Sequence, residues 1–323
     1  MAAASSGVFD APVVVLTGPT AAGKTEIAFR LADAWPVHLV SVDSVQVYRG
    51  MDIGSAKPSA EVLRRYPHAL IDIRDPEQGY TAGEFVADAE REIRSAHERG
   101  RVPVLVGGTP MYLKALRYGL DRLPKADPGF REELERRARR LGWEALHAEL
   151  AAVDPEAGRR IAPGDPQRIG RALEIHALTG RRPSELWSGR GADRLRRALH
   201  LVVSPADRAA LHRRIDLRWT GMLEAGLLDE VEALLRRPGL DEDASALRAV
   251  GYRQALDLVR GRVDPERARE RGSAATRQLA KRQLTALRQW TDARWYDPLN
   301  HRTFDRIIHT VGRYLQSSAA RHG

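Results

Sequence analysis

The stretch VVVLTGPTAAGKTEIA, residues 13–28, sets a short apolar run ahead of a glycine-bounded loop and the first turns of a helix. Within it, Gly18-Pro19-Thr20-Ala21-Ala22-Gly23-Lys24-Thr25 fits G-x-x-x-x-G-K-[ST] in full. In such a loop the backbone amides and the positive helix end attract phosphate oxygens. Lys24 adds a point charge and Thr25 a hydroxyl for Mg²⁺. A chance glycine turn is the alternative; the strand before the loop and the helix after it weigh against that. A phosphate loop of this kind needs a parallel sheet to hang from, and the rest of the first 120 residues reads as one.

Apolar runs at 13–17, 37–42, 69–73 and 102–106 alternate with helical patterns at about 24–34, 59–65 and 83–99. That alternation predicts an α/β fold, a P-loop NTPase-like parallel sheet flanked by helices, with ligands at the strand ends. From about 122 the pattern becomes amphipathic and helical, punctuated by Asp-Pro and Pro-Gly. HLVVS (200–204) then returns as a strand, ahead of helices at about 206–236, 244–260 and 264–291. The expected organisation is a core over 1–122, an all-helical insertion over 123–198, and the second part of the core with a basic helical segment over 199–323.

The chain of 323 residues has a net charge of +9, which favours an acidic partner such as nucleic acid. Only five of its 52 basic residues are lysine, so arginine is the general cation and no single arginine is informative. Location is: residues 248–294 hold 12 Arg or Lys against 5 Asp or Glu. The chain has no cysteine, which excludes disulfides, cysteine-ligated zinc and cysteine-held iron–sulfur clusters. The longest apolar runs, such as Val13–Leu16 and Val102–Val106, are too short to span a bilayer. MAAASSGVFDAP lacks the basic and apolar regions of a secretion signal, so a cytoplasmic protein without a membrane partner is expected. No sustained heptad or exposed apolar stretch argues against a monomer.

An ATPase should also offer a strand-terminal acid for Mg²⁺. The run at 102–106 ends instead in Gly107-Gly108-Thr109, leaving Asp72 in LIDI and Asp43 as alternatives. Asp43 lies just past the second strand, in VSVDSVQVYRGMDIGSAKP. It can position a nucleophile or accept a proton; equally, it can satisfy turn amides. Gly50, Gly54 and Pro58 imply a shaped loop, with Lys57 aimed at an anion or at solvent. Further on, Arg214 and Arg218 share a helix face, as do Arg277 and Lys281, and Gln278 and Arg282. Such pairs can clamp a pyrophosphate or an RNA backbone, or simply form a solvated face. The local basic excess favours function for the stretch as a whole.

GPTAAGKT, DSVQVYRGMDIGSAKP, LIDIRDP, VGGTPMYLKAL, DPQRIGRALEI, LRAVGYRQ and ATRQLAKRQLT occur in this order, and together the chain resembles the bacterial tRNA dimethylallyltransferases from about residue 12 to 291. The resemblance implies that Gly18, Pro19, Thr20, Ala21, Ala22, Gly23, Lys24 and Thr25 hold dimethylallyl diphosphate rather than ATP. The five-carbon group would pass to the exocyclic N6 of the adenosine 3′ to the anticodon in tRNAs reading codons that begin with U. The missing second acid then needs no explanation. Asp43 matches the family's catalytic aspartate and Thr109 its neighbouring threonine. Arg218, Lys24 and Mg²⁺ at Thr25 would stabilise the departing diphosphate. The resemblance further implies tRNA contacts at Asp43, Ser44, Val45, Gln46, Thr109 and Arg131. It implies others at Gln167, Arg168, Ile169, Gly170 and Arg171, and at Arg248, Ala249, Val250, Gly251, Tyr252 and Arg253, with the insertion against the anticodon stem-loop. The target base would be flipped out of its stack, at a cost of about a few kcal/mol.

Departures are small: Ala22 stands where serine is common, Ser55 where threonine is common, and Pro110-Met111 where an apolar pair is common. Rival readings are a P-loop kinase of a small metabolite, an enzyme prenylating free adenine nucleotides, and an RNA-binding protein with a relict P-loop. The first needs ATP, the second needs no insertion, and the third forms no prenyl product.

Overall fold

The structure is a computed structural model and describes residues 8–121, 123–187 and 191–320. The stretch read for a leader therefore lies, through residue 7, outside the described residues. The chain divides into two compact units, Met1–Arg117 with Arg194–Gly323, and Tyr118–Asp193.

The first unit is built on six parallel strands, β1 (Val14–Thr17), β2 (Val37–Val42), β3 (His68–Ala69), β4 (Val102–Gly107), β5 (Leu199–Val203) and β6 (Arg294–Tyr296), in the order β3-β2-β4-β1-β5-β6. Central strands covered on both faces must be apolar at every position, and β1 and β5 are buried throughout. Successive side chains point to opposite faces. Val13, Val15, Val40, Val42 and Leu105 therefore pack with Phe85 and Ile93 of α3 (Ala82–Glu98) and Leu113 and Leu116 of α4 (Pro110–Tyr118). Val14, Leu16, Leu39, Val104 and Leu201 pack the other face with Ile27 and Leu31 of α1 (Lys24–Ala34) and Ile307 and Val311 of α14 (Thr303–Ala319).

A third cluster joins Val47, Tyr48 and Met51 from the segment between β2 and α2 (Ala60–Arg65) to α10 (Arg208–Glu224), α11 (Leu227–Leu235) and α12 (Tyr252–Val259), through Trp219, Leu227, Val231 and Tyr252. The long helix α13 (Pro265–Leu287) completes the unit.

Several expectations needed correction. The run 69–73 yields only a two-residue strand, because Leu70 and Asp72 take left-handed φ values of 66° and 55°. The chain there turns to pair with the β2–α2 segment instead, Asp72 N donating to Gln46 O and Ile73 N to Val47 O. The helix expected over 206–236 breaks at Gly226, whose φ is 96°. The helix expected from 244 starts only at Tyr252. Helices α4 and α14 and strand β6 had no sequence expectation.

The second unit is helical: α5 (Pro128–Leu141), α6 (Trp143–Val153), α7 (Pro155–Arg160), α8 (Pro166–Thr179) and α9 (Pro183–Leu186) surround their own core of Leu134, Leu146, Leu150, Ile169 and Leu173. The Asp-Pro pairs are helix starts: Asp127, Asp154 and Asp165 accept from Phe130, Ala157 and Arg168 amides at 3.0, 3.0 and 3.1 Å, with proline in the first helical position. The division falls at 117/118 and 193/194 rather than the expected 122/123 and 198/199. Residues 194–198 belong with the sheet unit, since Arg194 N donates to Arg117 O and Leu195 is buried in the sheet core.

Candidate active site

Four strand ends build the site, and glycines let them approach. A Cβ on Gly18 would collide with the Val203 carbonyl at the end of β5, and one on Gly107 with the Val42 carbonyl at the end of β2. One on Gly108 would lie 2.7 Å from both Gly18 O and Gln283 Nε2. Above these ends opens a cavity of about 540 Å³, lined by residues of the sheet unit, among them Thr20–Thr25, Asp43–Gln46, Thr109, Arg214, Arg218 and Gln283.

The loop after β1 curls around the Lys24 ammonium. Ala21 and Gly23 take φ values of 61° and 91°, which turns successive amides towards one side, and the first-turn amides of α1 have no intrahelical acceptor. Lys24 Nζ donates to Gly18 O and Pro19 O at 3.0 and 2.8 Å, leaving one of its three protons for a ligand. Burial, helped by Arg218 and opposed by Asp43, pushes the Lys24 ammonium down to about 8. Burial likewise lowers Arg218, with Asp43 opposing and Arg214 adding to the shift. Arg214 closes the loop from outside, Nε donating to Ala21 O at 2.8 Å.

Facing this cationic loop is Asp43. Its Oδ1 accepts from Val45 N at 2.8 Å and Gln46 N at 3.2 Å, so the turn-satisfying reading is met by one oxygen. The same carboxylate lines the cavity within electrostatic reach of Lys24 and Arg218. Thr109 Oγ1 accepts from Ser44 N at 3.2 Å, and Thr109 N donates to Val42 O at 3.3 Å, tying the Gly-Gly-Thr turn to the Asp43 turn. Oxygen donors here, the Thr25 hydroxyl at the cavity wall above all, suit Mg²⁺. That ion commonly takes one or two protein oxygens and completes its shell with phosphate oxygens and water. Among the described residues no three His, Asp or Glu side chains converge as a self-sufficient metal site.

Other expectations fall elsewhere. Asp72 is not at the loop: it accepts from Lys57 Nζ at 2.6 Å. Of the two options for Lys57, an anion or solvent, the first holds, and the anions are the protein's own: it is buried between the Asp72 and Asp52 carboxylates and Tyr48 O. Arg277 pairs with Asp216 at 2.7 Å and, with Lys281, lines a second cavity. In the helical unit, Gln167 and Arg168 are exposed, whereas Ile169 is a core residue and Gly170 sits against Leu134. Arg131 and Arg171 both bind the fully buried Glu174. Of 248–253, Arg248 and Arg253 are exposed, Ala249 and Val250 half-buried, Gly251 and Tyr252 buried.

Gln283 escaped the sequence reading. From α13 its Oε1 accepts from Thr20 N at 2.8 Å and its Nε2 donates to Gly108 O at 2.9 Å, bridging the phosphate loop and the Gly-Gly-Thr turn. The signal was there: Gln283 is a polar residue on the buried stripe of Ala280 and Leu287.

A six-stranded parallel sheet flanked by helices, with the G-x-x-x-x-G-K-T loop after β1 and a carboxylate turn facing it, defines the class as a P-loop NTPase-like fold. Comparison with known proteins narrows the class. The IPP transferase profile matches residues 46–290. The tRNA dimethylallyltransferase of Thiobacillus denitrificans is 54% identical over 94% of this chain and 97% of its own length, and that of Bordetella petrii 53% identical over 94% and 98%. Among solved structures, the tRNA isopentenylpyrophosphate transferase of Bacillus halodurans superposes with a TM-score of 0.70 at 34% identity, covering 97% of this chain and 99% of that one. A eukaryotic dimethylallyltransferase acting on tRNA shares the fold, with a TM-score of 0.78 at 24% identity over 95% of this chain and 80% of that one. The chain belongs to the IPP transferase family.

Proposed function

We propose that this protein transfers the dimethylallyl group of dimethylallyl diphosphate to N6 of the adenosine 3′ to the anticodon in tRNAs reading codons that begin with U. The products are N6-isopentenyladenosine and diphosphate. The observation that carries the reading is the opposition, in one cavity, of the Lys24–Arg218 cations and the Asp43 carboxylate. Attack by N6 on the allylic carbon breaks the carbon–oxygen bond to diphosphate. Negative charge grows on the leaving oxygens, where Lys24, Arg218 and the loop amides meet it. The N6 proton goes to the carboxylate of Asp43, which lines the cavity while its Oδ1 stays bound to the turn amides. Thr109 holds that turn through Ser44 N. Mg²⁺ at Thr25 would supply Lewis-acid stabilisation of the same charge.

RNA binding falls to surface cations: the exposed Arg248 and Arg253 in the sheet unit, and in the helical unit the exposed Arg131 and Arg168 and the half-buried Arg171, with Gln167, these last engaging an anticodon stem-loop. Among the described residues no helix is long and apolar enough to cross a membrane; the reading assigns the work to the cytoplasm because its proposed substrate is tRNA.

The test incubates protein and Mg²⁺ with labelled dimethylallyl diphosphate and an unmodified anticodon stem-loop, with AMP and ATP in parallel. Label in the RNA, and none with Asp43→Ala, is expected. Label in AMP alone would move the assignment to free nucleotides, and phosphoryl transfer from ATP would move it to a kinase.

A further inference from the structure

The segment between β2 and α2 lines the cavity at both ends, through Asp43–Gln46 and again through Gly54, Ser55 and Pro58, yet it has no regular structure of its own. Something must hold its shape. Three consecutive amides in it, of Asp52, Ile53 and Gly54, converge on one carboxylate, that of Glu230 on α11, at 2.9, 2.7 and 3.1 Å. The buried Tyr252 hydroxyl donates to the same carboxylate at 2.7 Å. Convergent amides of this kind form an anion-binding nest; here the anion is a side chain of the protein itself, 176 to 178 residues away in sequence. Gly54 is required at the closest approach, because a Cβ there would come within 2.6 Å of the Tyr252 ring and 2.9 Å of Leu227.

The next two residues pass the constraint on. Ser55 O and Ala56 O accept from Gln46 Nε2 at 3.3 and 3.4 Å, so both amide protons of Gln46 point back into the loop, and its Oε1 accepts from Ser41 Oγ at 3.4 Å. Gln46 N in turn donates to Asp43 Oδ1. A continuous chain of contacts therefore runs from Glu230, through 52–56 and Gln46, to the proposed proton acceptor.

We propose that Glu230, capped by Tyr252, is a positioning residue that holds the 43–58 segment in its reactive shape, fixing Gln46 and Asp43 for the RNA base while leaving the phosphate loop untouched. This rests on the transferase reading above. Glu230→Gln keeps the volume but replaces one acceptor oxygen by a donor facing donors. Displacement of reacting groups by about an ångström can cost about a hundredfold in rate.

The expected result is a kcat on the stem-loop lowered about tenfold to a hundredfold, with the dissociation constant of a non-reactive dimethylallyl diphosphate analogue changed by less than about twofold. Tyr252→Phe, which removes a single donor, should move kcat the same way by less. In both variants amide exchange over 43–58 should quicken while exchange over 13–28 does not. Unchanged exchange over 43–58, or an equal loss of analogue affinity, would overturn the proposal. Wild-type protein that prenylates no RNA would instead overturn the transferase reading, and the exchange measurement would then judge the clamp by itself.

Discussion

Asp43 holds its own turn through Oδ1, and the transferase reading gives its carboxylate a second job as proton acceptor; substitutions separate the two. Asp43→Asn keeps an Oδ1 acceptor for the Val45 and Gln46 amides but cannot take a proton. It should lower kcat by roughly two to four powers of ten with an unchanged melting temperature. Asp43→Ala also strands the two amides, at up to about 1–3 kcal/mol where water cannot reach them, and should melt earlier as well. Equal melting of the two variants would mean the turn does not depend on the carboxylate. Lys24 makes a pH prediction. Its ammonium, held at about 8 against an ordinary 10.5, loses its proton as pH rises through 8. Only the ammonium attracts diphosphate, so analogue affinity should be flat below about pH 7 and fall up to about tenfold per unit above 8. The stability of the ligand-free protein moves the other way. The unfolded chain binds the extra proton between 8 and 10.5, so the cost of the buried ammonium is full below 8 and relieved as pH climbs. Titration calorimetry of analogue binding at pH 7, 8 and 9, with Lys24→Met for comparison, checks the first slope, and urea unfolding of the ligand-free proteins at the same pH values checks the second.

At the scale of elements, the parts of the site legible in sequence were those whose chemistry is local. The phosphate loop declares itself because its spacing and its strand–loop–helix setting are contiguous, and β1, α1, β2, α3, β4 and β5 follow from period and apolar runs. What was hidden depends on contacts far along the chain. Leu70 and Asp72 leave the strand conformation because their neighbours pair with Gln46 and Val47, which no window of sequence contains. Lys57 looked free because its two carboxylate partners lie 5 and 15 residues away on a fold not yet known. Gln283 belongs to this second kind. Gln283→Leu would leave Thr20 N and Gly108 O without their partner, at about 1–3 kcal/mol each. Since about 1.4 kcal/mol is tenfold in affinity, diphosphate analogue binding should weaken about tenfold or more, with the helical content unchanged by circular dichroism. Unaltered affinity would show that the bridge is incidental to the loop.

For the whole molecule, charge decides how substrates are held. The net charge of +9 is carried mostly by arginine, and much of it is already paired: Arg131 and Arg171 share Glu174, Arg277 binds Asp216, and Arg237 binds Glu77. Binding of RNA therefore draws on the guanidinium groups that still reach solvent, the Glu174-paired Arg131 among them, and releases counterions from each phosphate it neutralises. Diphosphate, by contrast, is met by directed amides and buried cations that salt screens far less. Raising salt from about 50 to 200 mM should weaken stem-loop binding about a hundredfold if about four phosphates are neutralised, while analogue binding shifts much less. Acid adds a second, separate signature. Burial alone would raise Glu174, but hydrogen bonds from Arg131, Arg171 and the Asp127 amide outweigh it and hold the carboxyl below 4.5. The stabilisation is thus present above 4.5 and lost as pH falls through the lowered value, so the helical unit should lose stability in acid only below 4.5, after its exposed carboxylates have begun to take up protons. Glu174→Gln, which cannot hold either guanidinium as an ion, should abolish that acid transition and loosen Arg131 and Arg171 together. Stem-loop affinity that then rises would mean that Glu174 withholds these cations from RNA; affinity that falls would mean that it presents them.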